Sequence, residues 1–308
     1  MWAAALTVGA LAIASCGDDD DEGGEGAPGG GSGAATGGAG GTNGAPGGGG
    51  TNGAPGGGGT NGAPGGGTGG GGGRGGGGDA SWQRAFAEVG FAVEKVGDHA
   101  CSASAEALAQ SELPRVSAGG ATIYVGFHQV SSDNQDPFAA RVEGGQVTWC
   151  VYHEDDGPDG RALGIAWDGG PFAYVVYTIV GGGTDLEMPG WFRSYGGHAA
   201  ISGGNKKVGV LGRVDAATGA LVAATHVPAV LSDRKVNSHA PVEAPVVLAD
   251  GTVEYRGESA HKPIGADGKN PMDCTDYPFT TTYRFAPDLA SLTCAVSTNC
   301  TGNTKPCE

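Results

Sequence analysis

Basic residues are scarce in this 308-residue chain: 17 Lys and Arg stand against 33 Asp and Glu, for a formal net charge of −16. No basic stripe relieves that sign. Nucleic acid is therefore removed as a partner, because such binding begins with neutralising phosphates. No apolar run reaches the roughly 18–20 residues that a membrane-spanning helix needs. Catalytic motifs are missing too. Ala200-Ile201-Ser202-Gly203-Gly204 lacks the first glycine of a G-x-S-x-G elbow. Gly203-Gly204-Asn205-Lys206-Lys207 lacks the spacing, and the Ser or Thr after Lys, of a phosphate loop. No H-E-x-x-H and no C-x-x-C occurs, which argues against a zincin and against a zinc-thiolate site. Paired carboxylates for glycoside hydrolysis stay open, because their separation is a three-dimensional quantity.

Glycine, by contrast, is plentiful at 64 residues, and it is concentrated before residue 80. Thr42-Asn43-Gly44-Ala45-Pro46 recurs at Thr51 to Pro55 and at Thr60 to Pro64, with glycine runs between the copies. Such a segment loses much backbone entropy on ordering and has almost no apolar side chain to bury in return. Glycine does not recur at every third position, so a collagen helix is excluded. Residues 16–80 are expected to be a disordered, acidic and Gly-rich linker. Treated as a Gly-rich coil, it has an r.m.s. span of roughly 40–48 Å.

Ahead of it, Met1 to Ser15 is almost wholly apolar and ends at Ile13-Ala14-Ser15-Cys16, after which Asp18 to Asp21 and Glu22 follow at once. The length suits the apolar region of a signal peptide and falls short of a membrane span. This stretch resembles the lipobox of bacterial lipoproteins. The resemblance implies cleavage before Cys16, acylation of its thiol and new amino group, and anchoring by several acyl chains at about 0.8 kcal/mol per buried methylene. The pattern departs in one place: Met1-Trp2-Ala3-Ala4 carries no basic residue, which an upstream start would supply.

Residues 81–308 are long enough for one domain with a sizeable core. Seven of the acids and one basic residue lie in the linker, so this part holds 26 acidic and 16 basic residues, a net of −10. With Cys16 set aside, Cys101, Cys150, Cys274, Cys294, Cys300 and Cys307 remain. An even number in an exported chain reads as a set of disulfides. Of the fifteen pairings that six cysteines allow, we expect 101 with 150, 274 with 294 and 300 with 307.

The fold expected is all-β. Short runs rich in Val, Ile, Thr and aromatics are cut by tight-turn signals at Ala118-Gly119-Gly120, Glu143-Gly144-Gly145, Asp168-Gly169-Gly170, Thr218-Gly219 and Asp250-Gly251. Only Trp82 to Gln110 has helical character. The runs fall into three units of strand, hairpin, strand, long loop, strand, hairpin, strand. They cover 113–153, 163–227 and 242–296, with Phe172 to Val180 as the second strand of the second unit and Val242 to Leu248 and Phe279 to Phe285 as the first and third strands of the third, and Tyr124, Tyr174 and Tyr255 sit early in the three second strands. A repeated four-stranded antiparallel unit is the pattern of a propeller blade. Asp215-Ala216-Ala217-Thr218-Gly219-Ala220-Leu221-Val222 also resembles the outer hairpin of PQQ-type and related propellers, in which a D-x-x-T-G turn precedes an apolar strand, often with Trp four residues after the Gly. Trp149 holds that place after Gly145, and Ala223 holds it after Gly219. The likeness spans two of the three hairpins and implies a propeller-like domain of about three blades, with no implication of a quinone. A β-sandwich or an irregular barrel is the alternative, and Trp82 to Gln110 would complete the ring or pack across it.

In a meander wound about an axis, the loops between second and third strands and those between units emerge on one face. Here they are residues 128–137, 153–161, 181–206, 227–241 and 257–278. They hold or border His128, His153, His198, His226, His239 and His261, with acids such as Asp133, Asp136, Glu154, Asp185, Glu258 and Asp276 nearby. Imidazole and carboxylate are ligands that transition metals accept. An ordinary frequency of loop histidines is the plainer account. Asp155-Asp156-Gly157-Pro158-Asp159-Gly160 and Asp133-Asn134-Gln135-Asp136 offer hard oxygens for calcium, without the ligand order of an EF-hand. No cofactor is expected beyond a calcium or transition-metal ion at one of these places. Aromatics are only 7% of the chain, so their clustering at Trp191, Phe192 and Tyr195, with Arg193 and His198, stands out. Those rings either plug the core or form a recognition loop, since Trp, Tyr and Arg concentrate interface energy.

The function these features support is an exported lipoprotein, membrane-anchored through Cys16, whose disulfide-stabilised domain binds a protein, glycan or small ligand at the cell envelope, on either face of a bacterial outer membrane. The alternative is a metal-dependent or hydrolytic enzyme using the histidine-bearing face, and a passive structural component is a third option. Propellers host both binding proteins and enzymes, so the fold alone does not choose.

Overall fold

The computed structural model describes residues 82–89, 94–95, 98–132, 134–153, 160–180, 186–194, 207–232 and 235–308. The signal-peptide and linker segments, Cys16 among them, lie outside the described residues. Within the described residues the chain is all-β with one short helix, and its sheets are antiparallel and open.

Three consecutive four-stranded meanders account for most of the strands. The first comprises β2 (Arg115–Ala118), β3 (Ala121–Ser131), β4 (Asn134–Glu143) and β5 (Gln146–Tyr152). The second comprises β6 (Gly160–Trp167), β7 (Phe172–Val180), β8 (Lys207–Asp215) and β9 (Leu221–Val227), with β1 (Gln83–Phe86) added beside β6. In the third, β12 (Val253–Ser259), β13 (Phe279–Phe285) and β14 (Leu292–Ser297) follow two short pieces, β10 (Ala240–Pro241) and β11 (Val246–Val247), that both pair with β12. The hairpins turn where glycine signals stand: Gly119, Gly120, Gly144, Gly145, Gly169, Gly219 and Gly251 all have positive φ.

Two expectations need correction. Among the described residues of Trp82 to Gln110, only α1 (Ala105–Gln110) is helical, started by Ser104, whose Oγ accepts from the Ala107 amide at 3.1 Å. Gln83–Phe86 is a strand instead, because pairing with β6 from Gln83↔Trp167 to Phe86↔Gly164 outweighs local propensity. The first strand of the third unit, expected as one run over 242–248, is split. Pro245 lacks an amide donor, and the carbonyls of Ala244 and Pro245 accept from the Arg84 side chain and not from a neighbouring strand.

Burial shows how the meanders stack. Strands β6, β7 and β8 are buried almost continuously, the pattern of a sheet covered on both faces. The strand β13 alternates buried with exposed or half-buried residues, so one face of the third sheet meets solvent. Strand β6 lies against β2, β3 and β4 of the first meander, whereas β7 and β8 lie against β10 of the third. One core cluster runs through all three, and a second, around Leu108, Leu113, Tyr124, Phe127, Phe138 and Leu163, sits under α1.

The three disulfides are Cys101–Cys150, Cys274–Cys300 and Cys294–Cys307. The first matches the expected pairing and the other two replace 274–294 and 300–307. Their cause is strand register. Asp273 pairs with Gly302 and Cys274 with Cys300 in a short ladder, while the C-terminal segment runs back along β14 with Ala295 opposite Lys305, which brings Cys307 to Cys294. Three disulfides mark an exported, non-cytoplasmic protein. No described helix is long and apolar enough to cross a membrane.

Candidate functional site

Each described histidine of the expected set lies at the same end of its own meander. His128 is near the end of β3, His153 follows β5, His226 is near the end of β9, His239 precedes β10 and His261 follows β12. Their rings occupy separate surroundings. Among the described residues, no group of three or more His, Cys, Asp or Glu side chains is arranged to hold a metal ion. His198, Tyr195, Asp133, Glu154, Asp185 and most of the 155–160 loop lie outside the described residues.

His128 stacks on Tyr152 with centroids 5.1 Å apart, and its Nδ1 is 3.5 Å from an Asp98 oxygen. Asp136, directly across from it on β4, is buried. Beside this pair, Arg161 lies over the Phe127 ring and donates through Nε to Gln135 Oε1 at 2.6 Å. The first meander thus ends in a polar group that couples a half-exposed imidazole to a carboxylate.

His153 and His239 serve packing between meanders. His153 Nε2 lies 2.9 Å from the Gly219 carbonyl and donates to it; Nδ1, 2.8 Å away from the Tyr177 hydroxyl, then accepts from it. Burial lowers the pKa of His153, with the Gly219 bond acting in the opposite sense. Both ring nitrogens are used inside the protein. The same hairpin is gripped again at the Ala216 carbonyl, which accepts from Trp149 Nε1 at 3.0 Å and Arg141 Nη1 at 2.9 Å. The D-x-x-T-G turn therefore docks on the first meander through Arg141, Trp149 and His153.

At the next junction His239 is fully buried, stacked on Tyr255 at 5.6 Å and edge-on to Tyr283 at 6.0 Å. Its Nδ1 is 3.2 Å from the Tyr255 hydroxyl, and its Nε2 has no hydrogen-bond partner. Burial pushes the pKa of His239 down to about 3 and those of Tyr255 and Tyr283 well up. The sequence makes room for the ring with Gly257, where a Cβ would come within 2.4 Å of His239 Cε1. His226 is also buried, and its amide donates to the Phe192 carbonyl; the His261 amide donates to Ser259 Oγ.

The aromatic insertion lies along β9. Ala224 and His226 amides donate to the Pro189 and Phe192 carbonyls, both at 2.9 Å, and the Phe192 amide donates to Thr225 Oγ1. Phe192 is buried, and Trp191 is half-buried, 6.1 Å from Tyr283 and 5.9 Å from Phe285. These two rings fill the seam between the second and third meanders, and Arg193 stays exposed.

Two features escaped the sequence reading. A chain of alternating charges runs Arg84–Glu243–Arg256–Glu254–Arg284, with contacts of 3.2, 3.4, 3.0 and 2.8 Å. The alternation Glu254-x-Arg256-x-Glu258 on one strand is its visible trace. Tyr277 is the second: it is the most exposed large apolar residue described, and its loop is held by the Cys274–Cys300 disulfide and by Asn299 Nδ2 donating to the Asp276 carbonyl. Exposed Glu258 accepts from Thr280 Oγ1 nearby in the register.

No protein-family model, curated protein or solved structure matches the chain.

Proposed function

We propose that the chain is an exported lipoprotein, anchored through acylated Cys16, that presents a propeller-like binding domain for a protein, glycan or small ligand at the cell envelope. One observation carries the reading: three successive antiparallel meanders, with one disulfide tying the preceding segment to the first and two more inside the third and its C-terminal extension, follow a Gly-rich segment headed by a cysteine in lipobox context. The fold supplies rigidity, and the long sequence before it supplies reach from a membrane. The propeller-like arrangement is supported by the way β1 meets the first strand of every meander: it pairs with β6, lies against β2, and holds the 243–245 segment through Arg84.

The test has two arms. Palmitate labelling of cells expressing the wild-type chain or Cys16→Ala, followed by fractionation, is expected to label only the former and leave only it in membranes. Purified protein titrated against isolated peptidoglycan, lipopolysaccharide and a glycan array is expected to show saturable binding to one of them or, failing all three, to an envelope protein identified by cross-linking in intact cells. Absence of label defeats the anchor, and absence of any such ligand defeats the binding role.

A further inference from the structure

Tyr277 stands at a tip of the third sheet formed by residues 275–280, which lead into β13, and 297–300, which leave β14. It is 62% exposed. A single exposed ring is ordinary on a protein surface. What sets this one apart is a fixed backbone that carries unspent side chains. The Thr275 amide donates to the Asn299 carbonyl at 3.0 Å, and Asn299 Nδ2 donates to the Asp276 carbonyl at 3.1 Å. Thr298 Oγ1 donates to the Pro278 carbonyl at 3.3 Å and accepts from the Thr280 amide at 3.0 Å, while the Thr298 amide donates to the Thr280 carbonyl. The Cys274–Cys300 disulfide closes the same two segments covalently. Thr275, Asp276, Tyr277 and Pro278 are nonetheless all exposed, as are Thr298 and Asn299. Among the described residues, the Tyr277 hydroxyl, the Asp276 carboxylate and Asn299 Oδ1 meet no hydrogen-bonding partner.

We propose that this tip is a glycan-binding platform that takes an uncharged pyranose of gluco configuration, with the sugar lying on the Tyr277 ring. The proposal rests on the binding role proposed above and names its ligand. A pyranose whose substituents are all equatorial has faces made of C–H bonds and a rim of hydroxyls. An exposed tyrosine offers the matching pair, a flat apolar ring and a polar end, with few rotatable bonds to order. Each sugar hydroxyl both donates and accepts, and the groups around the ring do both as well: Asp276 and Asn299 Oδ1 accept, and the Tyr277 hydroxyl donates or accepts. A basic peptide would use the carboxylate alone. Residues 275–280 and 297–300 include no Lys, Arg or His, so nothing in the tip itself recognises a phosphate or a sulfate. Exposed Glu258, which accepts from Thr280 Oγ1, adds to the repulsion of an anionic sugar. The hydrogen bonds and the disulfide have already ordered the loop, so binding does not bear that entropy cost.

The test is titration of the purified full chain, disulfides intact, with chitohexaose and cellohexaose, two uncharged gluco-configured oligosaccharides, followed by calorimetry and by saturation-transfer difference NMR. Saturable binding to at least one is expected, with the strongest transfer to the axial C–H protons of the bound sugar and little change between low and high salt. Tyr277→Ala is expected to weaken binding about tenfold or more. Tyr277→Phe should keep most of it, and Asp276→Ala should weaken it a few-fold, since the clamp uses the Asp276 carbonyl and not its carboxylate. No binding to either oligosaccharide, binding that Tyr277→Ala leaves unchanged, or salt-sensitive binding of hexalysine in place of the sugars would overturn the proposal. A wild-type chain that binds peptidoglycan, lipopolysaccharide or an envelope protein equally well as Tyr277→Ala defeats this platform and leaves the broader binding role standing. That role falls only if the wild-type chain takes no envelope ligand at all.

Discussion

Replacing Gly219 with Ala probes the docking of the second meander on the first. Gly219 has φ +78°, and a Cβ there would lie 2.7 Å from Trp149 Cε3 and 3.0 Å from Cδ2 and Cζ3. Two costs follow. A left-handed conformation in a non-glycine residue costs about 1–2 kcal/mol. Forcing the ring aside adds about 1–3 kcal/mol of overpacking, and it disturbs the Trp149 bond to Ala216 and the His153 bond to Gly219, each worth about 1 kcal/mol. The expected loss is about 3–5 kcal/mol, a large share of the 5–15 kcal/mol typical of a domain. Gly144→Ala is the control, because its φ is +58° and nothing lies within 4 Å of the added atom. It should cost only the conformational part. Urea denaturation of both variants with disulfides intact measures the difference, which should be about 2–3 kcal/mol in favour of the control at unchanged m-value. Equal losses at the two positions would mean that the turn does not rest on Trp149, and the reasoning for that interface would fall.

Other consequences are as direct. His239 takes up a proton near 6.5 in the unfolded chain and near 3 in the fold. Between those values the unfolded state holds more protons, so stability falls as pH drops from about 6.5 to 3; His239→Leu should flatten that limb by up to a few kcal/mol, as read by denaturation at a series of pH values. Glu254, buried between Arg256 and Arg284, accepts a charge-assisted bond from Arg284 Nε at 2.8 Å and forms an ion pair with Arg256 at 3.0 Å; Glu254→Ala should cost about 1.5–3 kcal/mol in urea titration, and Glu254→Gln less. Non-reducing peptide mapping should return the 101–150, 274–300 and 294–307 links. Opening the 26-residue loop with Cys274→Ser and Cys300→Ser should lower stability by about 3–4 kcal/mol on the chain-entropy account.

The three meanders were legible because two local signals agree: β-branched and aromatic runs of strand length, and glycines placed where the hairpins need positive φ. Strands such as Phe172–Val180 and Phe279–Phe285 match the reading to the residue. What sequence could not carry was long-range pairing. Nothing local places Pro189 to Phe192 alongside β9, turns Gln83–Phe86 into the partner of β6, or returns Lys305 to Ala295. The 294–307 link follows from that last return and the 274–300 link from the separate ladder at Asp273 and Gly302, and two of the three expected pairings were replaced. The histidines illustrate the same limit. The described ones lie at one end of their meanders, but whether two rings share a site depends on side-chain direction and the packing of neighbours. His153 and His239 turn inward to tyrosines at successive junctions, a role that composition does not announce.

Amide hydrogen exchange over the whole chain tests most directly the claim that the second meander is the covered layer between the other two. The account predicts that the slowest amides lie in β6, β7 and β8, within 162–166, 173–179 and 208–214, with β1 exchanging well before them. Slowest exchange in β13 and β14, with the second sheet opening early, would contradict it.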